Sequence, residues 1–257
     1  MKRANYHTHT IRCGHAVGTE EEYVLAAIEA GMEELGFADH SPQPYKDGFV
    51  SGIRMPVNGV AEYVETLLAL RAKYQDKIHI KIGFEAEYYE DIFEDMITTL
   101  KAYPIDYLIL GQHYVGPERL YDYVGFAFDN EEKLAGYVDE VLAGLATGYF
   151  SFLAHPDVIR FTGDARVYRK HMLRLCQGCR QMDMPLEINC LGMAENRHYP
   201  REEFWRIAAQ VGNRVVIGYD AHKPEALKDE QSYAACVEFA CRLGLKPEED
   251  FRITGGL

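Results

Sequence analysis

The sequence has no apolar run of the roughly 20 residues that a transmembrane helix needs. Its start, MKRANYHTHT, also lacks the apolar core of a secretory signal, so we expect a cytoplasmic protein that does not enter a membrane. Only six of the 257 residues are cysteine, which is too few for a disulfide scaffold and predicts reduced thiols. Cys176 and Cys179 form a CxxC pair without a second pair, which favours structural thiols over a zinc or redox site.

Basic residues are scarce. The chain has 27 lysines and arginines but 40 aspartates and glutamates, which gives a formal net charge of −13. Such a charge repels polyanions, so an extended nucleic acid is excluded as the expected partner. Bound divalent cations would offset the charge locally and let a small anionic substrate approach. The sequence also has no Walker-type phosphate loop, no dinucleotide-binding GxGxxG and no GxSxG nucleophile elbow, which leaves metal-assisted hydrolysis as the favoured chemistry.

Short apolar runs alternate with helical patterns along the chain, and no Pro/Gly/Ser-rich linker divides them, so we expect one domain over residues 1–257. This alternation predicts seven βα units and a parallel α/β sheet, closed into a barrel or, as the alternative, open and doubly wound. Thr19 with Glu22 predicts a capping box, Asn58 a helix cap and Pro200 a first helical turn. The predicted strands are Asn5–His9, Glu34–Ala38, Ile78–Glu85, Tyr107–Gln112, Phe150–Ala154, Leu186–Asn189 and Val215–Gly218.

Histidines and acids stand at the carboxyl ends of six of these seven strands. In parallel α/β folds that rim is where ligands bind, because the loops that follow the strands converge there. The HxH spacing of His7 and His9 suits two imidazoles that reach one metal from the same side of a strand. We therefore predict metal binding by side chains from separate units: His7, His9, His15, His40, Glu85, His113, His155, Asp220 and His222. Glu87 stands at the same rim, two residues after Glu85.

The ordered segments YHTHT, ADH, GFEAE, GQH, AHP and DAH resemble the polymerase-and-histidinol-phosphatase (PHP) superfamily, and they extend from Tyr6 to His222. The resemblance implies a distorted (β/α)7, TIM-like barrel with the active site at the C-terminal rim and three divalent metal ions. One ion would be held by His7, His9, Glu85 and Asp220, a second by Glu85, His113 and His155, and a third by His15, His40 and His222. Asp39 is either an orienting partner of a ligand or a turn residue.

The compact length, together with CGHAVGTEEEYVLAAIEAGMEELGFADHSP and GFEAEYYED, is similar to the histidinol-phosphate phosphatases of histidine biosynthesis. This resemblance implies hydrolysis of L-histidinol phosphate to L-histidinol and phosphate. Clustered dications would lower the pKa of a shared water so that a metal-bridging hydroxide attacks phosphorus. Asp220 or His222 would relay a proton. Zinc, iron and manganese all suit such ligands.

Four residues near the same rim are predicted to contact the substrate. Arg160 and Arg197 could grip phosphate with forked hydrogen bonds, and Lys223 and His198 are further candidates. His79 and His171 lie away from the rim and are expected to be structural or exposed. Tyr45, Tyr88 and Tyr114 belong either to the core or to a leaving-group pocket.

Two other functions stay open at this stage. The first is a phosphoesterase of the same superfamily that acts on a different small phosphate ester. The second is a metal-binding module without turnover. The oligomeric state is also open, a homo-oligomer included.

Overall fold

A computed structural model describes residues 4–253 and 257 of the chain. Within these residues seven parallel strands, β1 to β7, form one sheet in which each strand pairs with the next along the chain. The sheet nearly closes on itself, because Thr8 forms a parallel bridge to Ala221, just after the last strand. The predicted seven-stranded barrel is therefore confirmed, and the open doubly wound alternative is wrong. The strands are β1 Ala4–Asn5, β2 Glu34–His40, β3 His79–Ala86, β4 Tyr107–Leu110, β5 Phe150–Leu153, β6 Leu186–Asn189 and β7 Val215–Gly218.

A helix follows each strand and covers the outside of the barrel. An additional short helix, α6, lies directly after β6. None of the helices in the described part of the chain is both long and apolar enough to cross a membrane. The helices are α1 Glu20–Glu29, α2 Val60–Lys73, α3 Phe93–Leu100, α4 Glu131–Ala146, α5 Ala165–Gln181, α6 Cys190–Ala194, α7 Glu202–Val211 and α8 Glu230–Arg242.

The ends of three helices test the predicted caps. Thr19 and Glu22 form the predicted capping box at α1, in which each side chain accepts a hydrogen bond from the other residue's backbone N–H. The prediction for Asn58 is wrong, because it lies inside a short 3₁₀ turn and Gly59 takes the cap position of α2. Pro200 is also outside its predicted place, since Arg201 caps α7 and the helix begins only at Glu202.

Alternating side chains of the strands divide the core into two layers. Leu108 and Leu110 of β4 face the helices, whereas Tyr107 and Ile109 belong to a second cluster with Phe152 and Val216 inside the barrel. Phe251 packs edge-on against Phe152 at a ring distance of 5.9 Å and fills the N-terminal end of this interior. Polar side chains are thus left to the opposite, C-terminal end of the barrel.

The CxxC pair lies on α5, where both thiols are buried in the helix-facing core. Burial raises the pKa of Cys179 to about 12 and that of Cys176 well above its usual value. Both groups are therefore held in the thiol form that suits a packed core.

Candidate metal centre

The nine side chains that sequence reasoning assigned as ligands converge at the carboxyl end of the barrel. They come from six different βα units: His40 is the last residue of β2 and Glu85 lies near the end of β3. His15 lies farther along the loop after β1, and the others follow their strands within four residues. Adjacent rings are close, with centroids 4.1 Å apart for His9 and His222 and 5.0 Å apart for His113 and His155. The barrel thus places groups far apart in the chain around one volume.

Glu85 is at the centre of this group. Its Oε1 atom lies 2.8 Å from Nε2 of His155 and 3.6 Å from Nε2 of both His7 and His113. Its Oε2 atom lies 3.4 Å from Nε2 of His9 and 3.0 Å from Nδ1 of His40. One carboxylate therefore faces two different sets of imidazoles, as a bridging ligand would.

Gly111, directly after β4, makes room for Glu85. A Cβ atom at position 111 would lie 1.8 Å from Oε1 of Glu85. Any side chain here would displace the carboxylate, so the glycine is required by this close approach.

Asp220 completes the group on the other side. Its Oδ1 atom lies 3.4 Å from Nε2 of His7 and 3.3 Å from Nε2 of His9. Ligand atoms held about 2.0 to 2.2 Å from a tetrahedral ion are about 3.3 to 3.6 Å apart. These separations are long for hydrogen bonds but match the edges of a coordination sphere. Asp220 and His155 both have a positive φ, 51° and 26°, a strained backbone that often marks functional positions.

Several polar atoms at the centre are buried and make no hydrogen bond. They are both carboxylate oxygens of Glu85, Oδ1 of Asp220 and Nε2 of His7. An unpaired buried polar atom costs about 1–3 kcal/mol, so four such atoms aimed at one volume would be unfavourable without a partner. The mixed nitrogen and oxygen donors fit divalent transition-metal ions, which would provide that partner.

The outward-facing nitrogens of several rings meet oxygen acceptors. Nδ1 of His7 lies 2.9 Å from Glu187, and Nδ1 of His113 lies 3.1 Å from Glu87. Nδ1 of His15 lies 2.8 Å from the carbonyl of Cys13, and Nδ1 of His222 lies 3.0 Å from the carbonyl of Asp220. Such partners fix the tautomer that leaves Nε2 free as a lone-pair donor.

Asp39 is a weaker partner of this kind. Its Oδ1 atom lies 3.6 Å from Nδ1 of His9, which is too far for a hydrogen bond. The same atom accepts a hydrogen bond from the backbone N–H of His40 at 2.8 Å. Its Oδ2 accepts hydrogen bonds from the backbone and hydroxyl of Thr10. Asp39 therefore mainly anchors the HTHT segment to β2.

Glu187 was missed by sequence reasoning. It lies in the middle of β6, is fully buried, and its second oxygen accepts hydrogen bonds from the backbone of His155 and the side chain of Asn189, both at 3.1 Å. The available signal was an acid within the strand predicted over Leu186–Asn189, because a charge buried in a strand requires partners.

The electrostatics of the centre divide its histidines into two groups. Burial lowers the pKa of His222 to about 3, assisted by His9, and the pKa of His40 is also held well below its usual value. For His7, burial acts in the same direction, but Glu187, Asp220 and Glu85 outweigh it and raise the pKa well above its usual value. Protons would therefore compete with cations for His7, whereas His222 and His40 stay neutral donors.

All of the candidate ligands except His7 line a cleft of about 510 Å³. Tyr123 stacks on His113 at a ring distance of 6.2 Å, and Tyr199 lies 6.2 Å from His155. Arg197 also lines the cleft, and its guanidinium is held by Glu195 at 2.7 Å and by the hydroxyl of Tyr199 at 2.9 Å. The remaining non-histidine walls include Gly52, Ile53, Tyr114 and Leu191.

The other three predicted substrate contacts are not among the described residues that line the cleft. Arg160 is exposed, and its backbone is fixed to Val124 and Phe128, so the strand-end position did not direct its side chain inward. His198 instead contacts the carbonyl of Val158 through Nε2 at 2.6 Å, and Lys223 is exposed at the start of a 3₁₀ turn.

The remaining candidates lie outside the centre. His79 is exposed at the first residue of β3, on the opposite rim, and His171 of α5 pairs with Glu131 at 3.0 Å. Of the three tyrosines, Tyr114 lines the cleft. Tyr88 packs against the core, and Tyr45 lines a separate hollow formed by the loop after β2.

Comparison with known proteins agrees with this geometry. The model of the PHP domain family matches residues 5–190. A Deinococcus radiodurans protein named "Probable histidinol-phosphatase" is 30% identical over 235 residues, covering 85% of each chain.

Two solved structures share the fold. A proposed histidinol phosphatase from Listeria monocytogenes has a TM-score of 0.74 at 20% identity, covering 90% of this chain and 99% of that one. The histidinol phosphate phosphatase of Lactococcus lactis subsp. lactis, solved with zinc, L-histidinol and phosphate, has a TM-score of 0.70 at 18% identity, covering 96% and 95%.

Proposed function

The chain belongs to the PHP domain family, and we propose that it is a metal-dependent phosphomonoesterase that hydrolyses L-histidinol phosphate to L-histidinol and phosphate. The observation that carries the proposal is the convergence of imidazoles from separate βα units on the two oxygens of Glu85. The substrate follows from the names of the relatives, which cover most of the chain.

We assign three divalent ions to the centre, with zinc, iron and manganese as the candidates. Two ions would share Glu85: His7, His9 and Asp220 would complete one site, and His113 and His155 the other. His15, His40 and His222 would hold the third. Bound dications would act as Lewis acids toward a phosphate ester and its attacking water.

The protein's own residues orient this chemistry. Glu187 and Glu87 hold His7 and His113 with Nε2 toward Glu85. Asp220 Oδ1 is buried beside the cleft and is our candidate to take a proton from the attacking water, with His222 beside it. A general base must lie within hydrogen-bond reach of the proton that it takes, and Asp220 and His222 both line the cleft.

Arg197 is the proposed phosphate contact. A planar guanidinium can bind two phosphate oxygens at once, and in this structure it already faces the cleft. Tyr123 and Tyr199 next to the metal ligands would pack against the planar imidazole of the leaving group. Arg197→Ala should raise the Michaelis constant for histidinol phosphate, and an unchanged constant would remove this contact from the proposal.

The function is tested with one purified sample. Its metal content is measured, and turnover of histidinol phosphate is compared with that of other phosphomonoesters and of a phosphodiester. We expect histidinol phosphate to be preferred, with activity lost on chelation and restored by metal. Preference for another ester would replace the substrate, and a metal-loaded protein that hydrolyses no ester would indicate a binding module.

Two further features are part of the proposal. We propose a single domain over residues 1–257, supported by one continuous sheet and by Phe251, which packs inside the barrel. We also propose a cytoplasmic location, as expected for an enzyme of amino-acid biosynthesis.

A further inference from the structure

A buried ionic cluster lies behind the metal centre and consists of Arg54, Glu87 and Glu118. The terminal nitrogen Nη2 of Arg54 lies 2.7 Å from Glu87 and 2.6 Å from Glu118, and Nε donates a second hydrogen bond to Glu118 at 2.8 Å. Nη1 donates to the carbonyl of Ser41 at 3.3 Å. The side chains of Arg54 and Glu87 are each only 1% exposed.

The cluster joins three loops at the rim. Arg54 lies in the long loop after β2, Glu87 directly after β3, and Glu118 in the loop after β4. Burying charged groups is costly, and a packed apolar cluster would join the loops at least as well. The charges therefore suggest a role beyond attachment of the loops.

Glu87 links the cluster to the metal centre, because its two oxygens face different partners. Oε2 faces Arg54, and Oε1 lies 3.1 Å from Nδ1 of His113. On the other side of that ring, Nε2 of His113 lies 3.6 Å from Oε1 of Glu85. A continuous chain thus runs from Arg54 through Glu87 and His113 to the bridging carboxylate.

We propose that Arg54 is a positioning residue of the metal centre. It holds the Glu87 carboxylate in the orientation that accepts a hydrogen bond from Nδ1–H of His113, so that the lone pair of Nε2 would point at the ion shared with Glu85. The inference rests on the proposed function, since it requires a metal ion at His113. Loss of such an outer partner typically weakens metal affinity about 10- to 100-fold.

The structure allows this role to be separated from attachment of the loops. Glu118 contacts Arg54 but has no contact with His113 among the described interactions. Glu118→Gln therefore disturbs the link between loops and leaves the Arg54 to Glu87 pair in place. Arg54→Met with Glu118→Gln removes one charge of each sign and leaves Glu87 without its cation. Arg54→Lys with Glu118→Gln restores a cation at position 54, with Glu87 as the remaining carboxylate of the cluster.

The experiment measures ion retention by the three metal-loaded variants and the wild type. Each protein is dialysed against increasing chelator concentrations, and the metal-to-protein ratio is determined by elemental analysis. We expect E118Q to retain its ions as the wild type does. R54M/E118Q should release one ion at a chelator concentration about tenfold lower, and R54K/E118Q should recover most of this difference.

Two results would overturn the inference: retention by R54M/E118Q equal to that of E118Q, or no recovery in R54K/E118Q. If R54M/E118Q does not fold by circular dichroism, Glu87→Gln takes its place, because it keeps the Arg54 to Glu118 pair. Wild-type retention in E87Q would equally reject the role. A wild-type protein that binds no metal contradicts the proposed function itself, whereas a metal-loaded wild type with insensitive variants contradicts only the role of Arg54.

Discussion

Replacing Glu187 with glutamine tests whether the metal centre depends on its outer carboxylate. All three groups facing the carboxylate are hydrogen-bond donors: Nδ1 of His7 at 2.9 Å, and the backbone N–H of His155 and the amide of Asn189, both at 3.1 Å. A carboxylate accepts from all three, whereas a glutamine has only one oxygen. Its NH2 group must therefore face a donor in either orientation.

Both orientations are unfavourable, for different reasons. With NH2 toward His155 and Asn189, two buried donors lose this acceptor, at a cost of about 1–3 kcal/mol in stability for each. With NH2 toward His7, the ring must take the other tautomer, which places a proton on Nε2 where the ion should bind. We expect metal affinity about 10- to 100-fold lower, equal to about 1.4–2.8 kcal/mol of binding free energy.

The assay is metal analysis after dialysis against graded chelator, together with thermal unfolding with and without excess metal. Glu132→Gln on the exposed start of α4 is the matched control, since it makes the same chemical change away from the centre. The E187Q variant should lose metal earlier than the control and respond more strongly to added metal. Equal chelator midpoints in both variants would refute the argument.

Three further predictions concern space, metal and pH. Gly111→Ala should lower the metal content while circular dichroism still shows the fold. The new Cβ atom would lie 1.8 Å from Oε1 of Glu85 and would force the carboxylate to move. A variant with full metal content would contradict this prediction. Chelation should lower the midpoint of thermal unfolding in calorimetry. A free metal concentration of 100 times the Kd adds about 2.7 kcal/mol to the free energy of unfolding, and chelation removes this contribution. An unchanged midpoint would argue against bound ions. Burial raises the pKa of Glu140 from 4.5 to about 7. Between these two pH values the folded state keeps a proton that the unfolded state has released. The free energy of unfolding therefore falls as the pH rises from about 4.5 to 7. Glu140→Gln should flatten this part of the pH dependence in urea unfolding; equal slopes in variant and wild type would reject the assignment.

Strand prediction succeeded where an apolar run ends in a clear turn signal. The predicted bounds of β6 and β7 match the structure, since Asn189 and Gly218 mark their ends. Asn5–His9 was predicted as a strand, but only Ala4–Asn5 pairs regularly and Thr8 forms a single bridge. Strand β2 extends through His40, because the ladder to β3 continues to that residue.

The register of β2 and β3 could not be predicted from the sequence. It pairs His40 with Glu85 across the two strands. Helix α2 and its loops separate these strands in the chain. The register therefore depends on tertiary packing, which the local sequence pattern of each strand does not determine. The sequence could place both residues at one rim. The distance of 3.0 Å between Nδ1 of His40 and Oε2 of Glu85 is visible only in the folded structure.

The residues expected to contact substrate were placed less accurately than the candidate metal ligands, for a related reason. The pleat fixes the direction of His40 and Glu85, which lie within strands, and most of the other candidates follow a strand end by only two to four residues. Arg160 and His198 lie farther along their loops, where backbone hydrogen bonds and carbonyl acceptors decide the direction of each side chain. Arg197 faces the cleft because Glu195 and Tyr199 hold it there, and the sequence alone does not reveal that contact.

Glu187 and Arg54, two buried residues that surround the candidate ligands, were not identified from the sequence. Asp39, Glu85, Glu87, Glu187 and Asp220 are all buried at the end of one barrel, while Arg54 is the one buried arginine in residues 4–253 and 257. Five carboxylates and one guanidinium leave an excess of negative charge that burial would penalise strongly. Bound dications would reverse that penalty, because each carboxylate then either binds an ion or orients an imidazole that does. An acid in an apolar strand, such as Glu187, is therefore best interpreted together with the histidines that it faces in the fold.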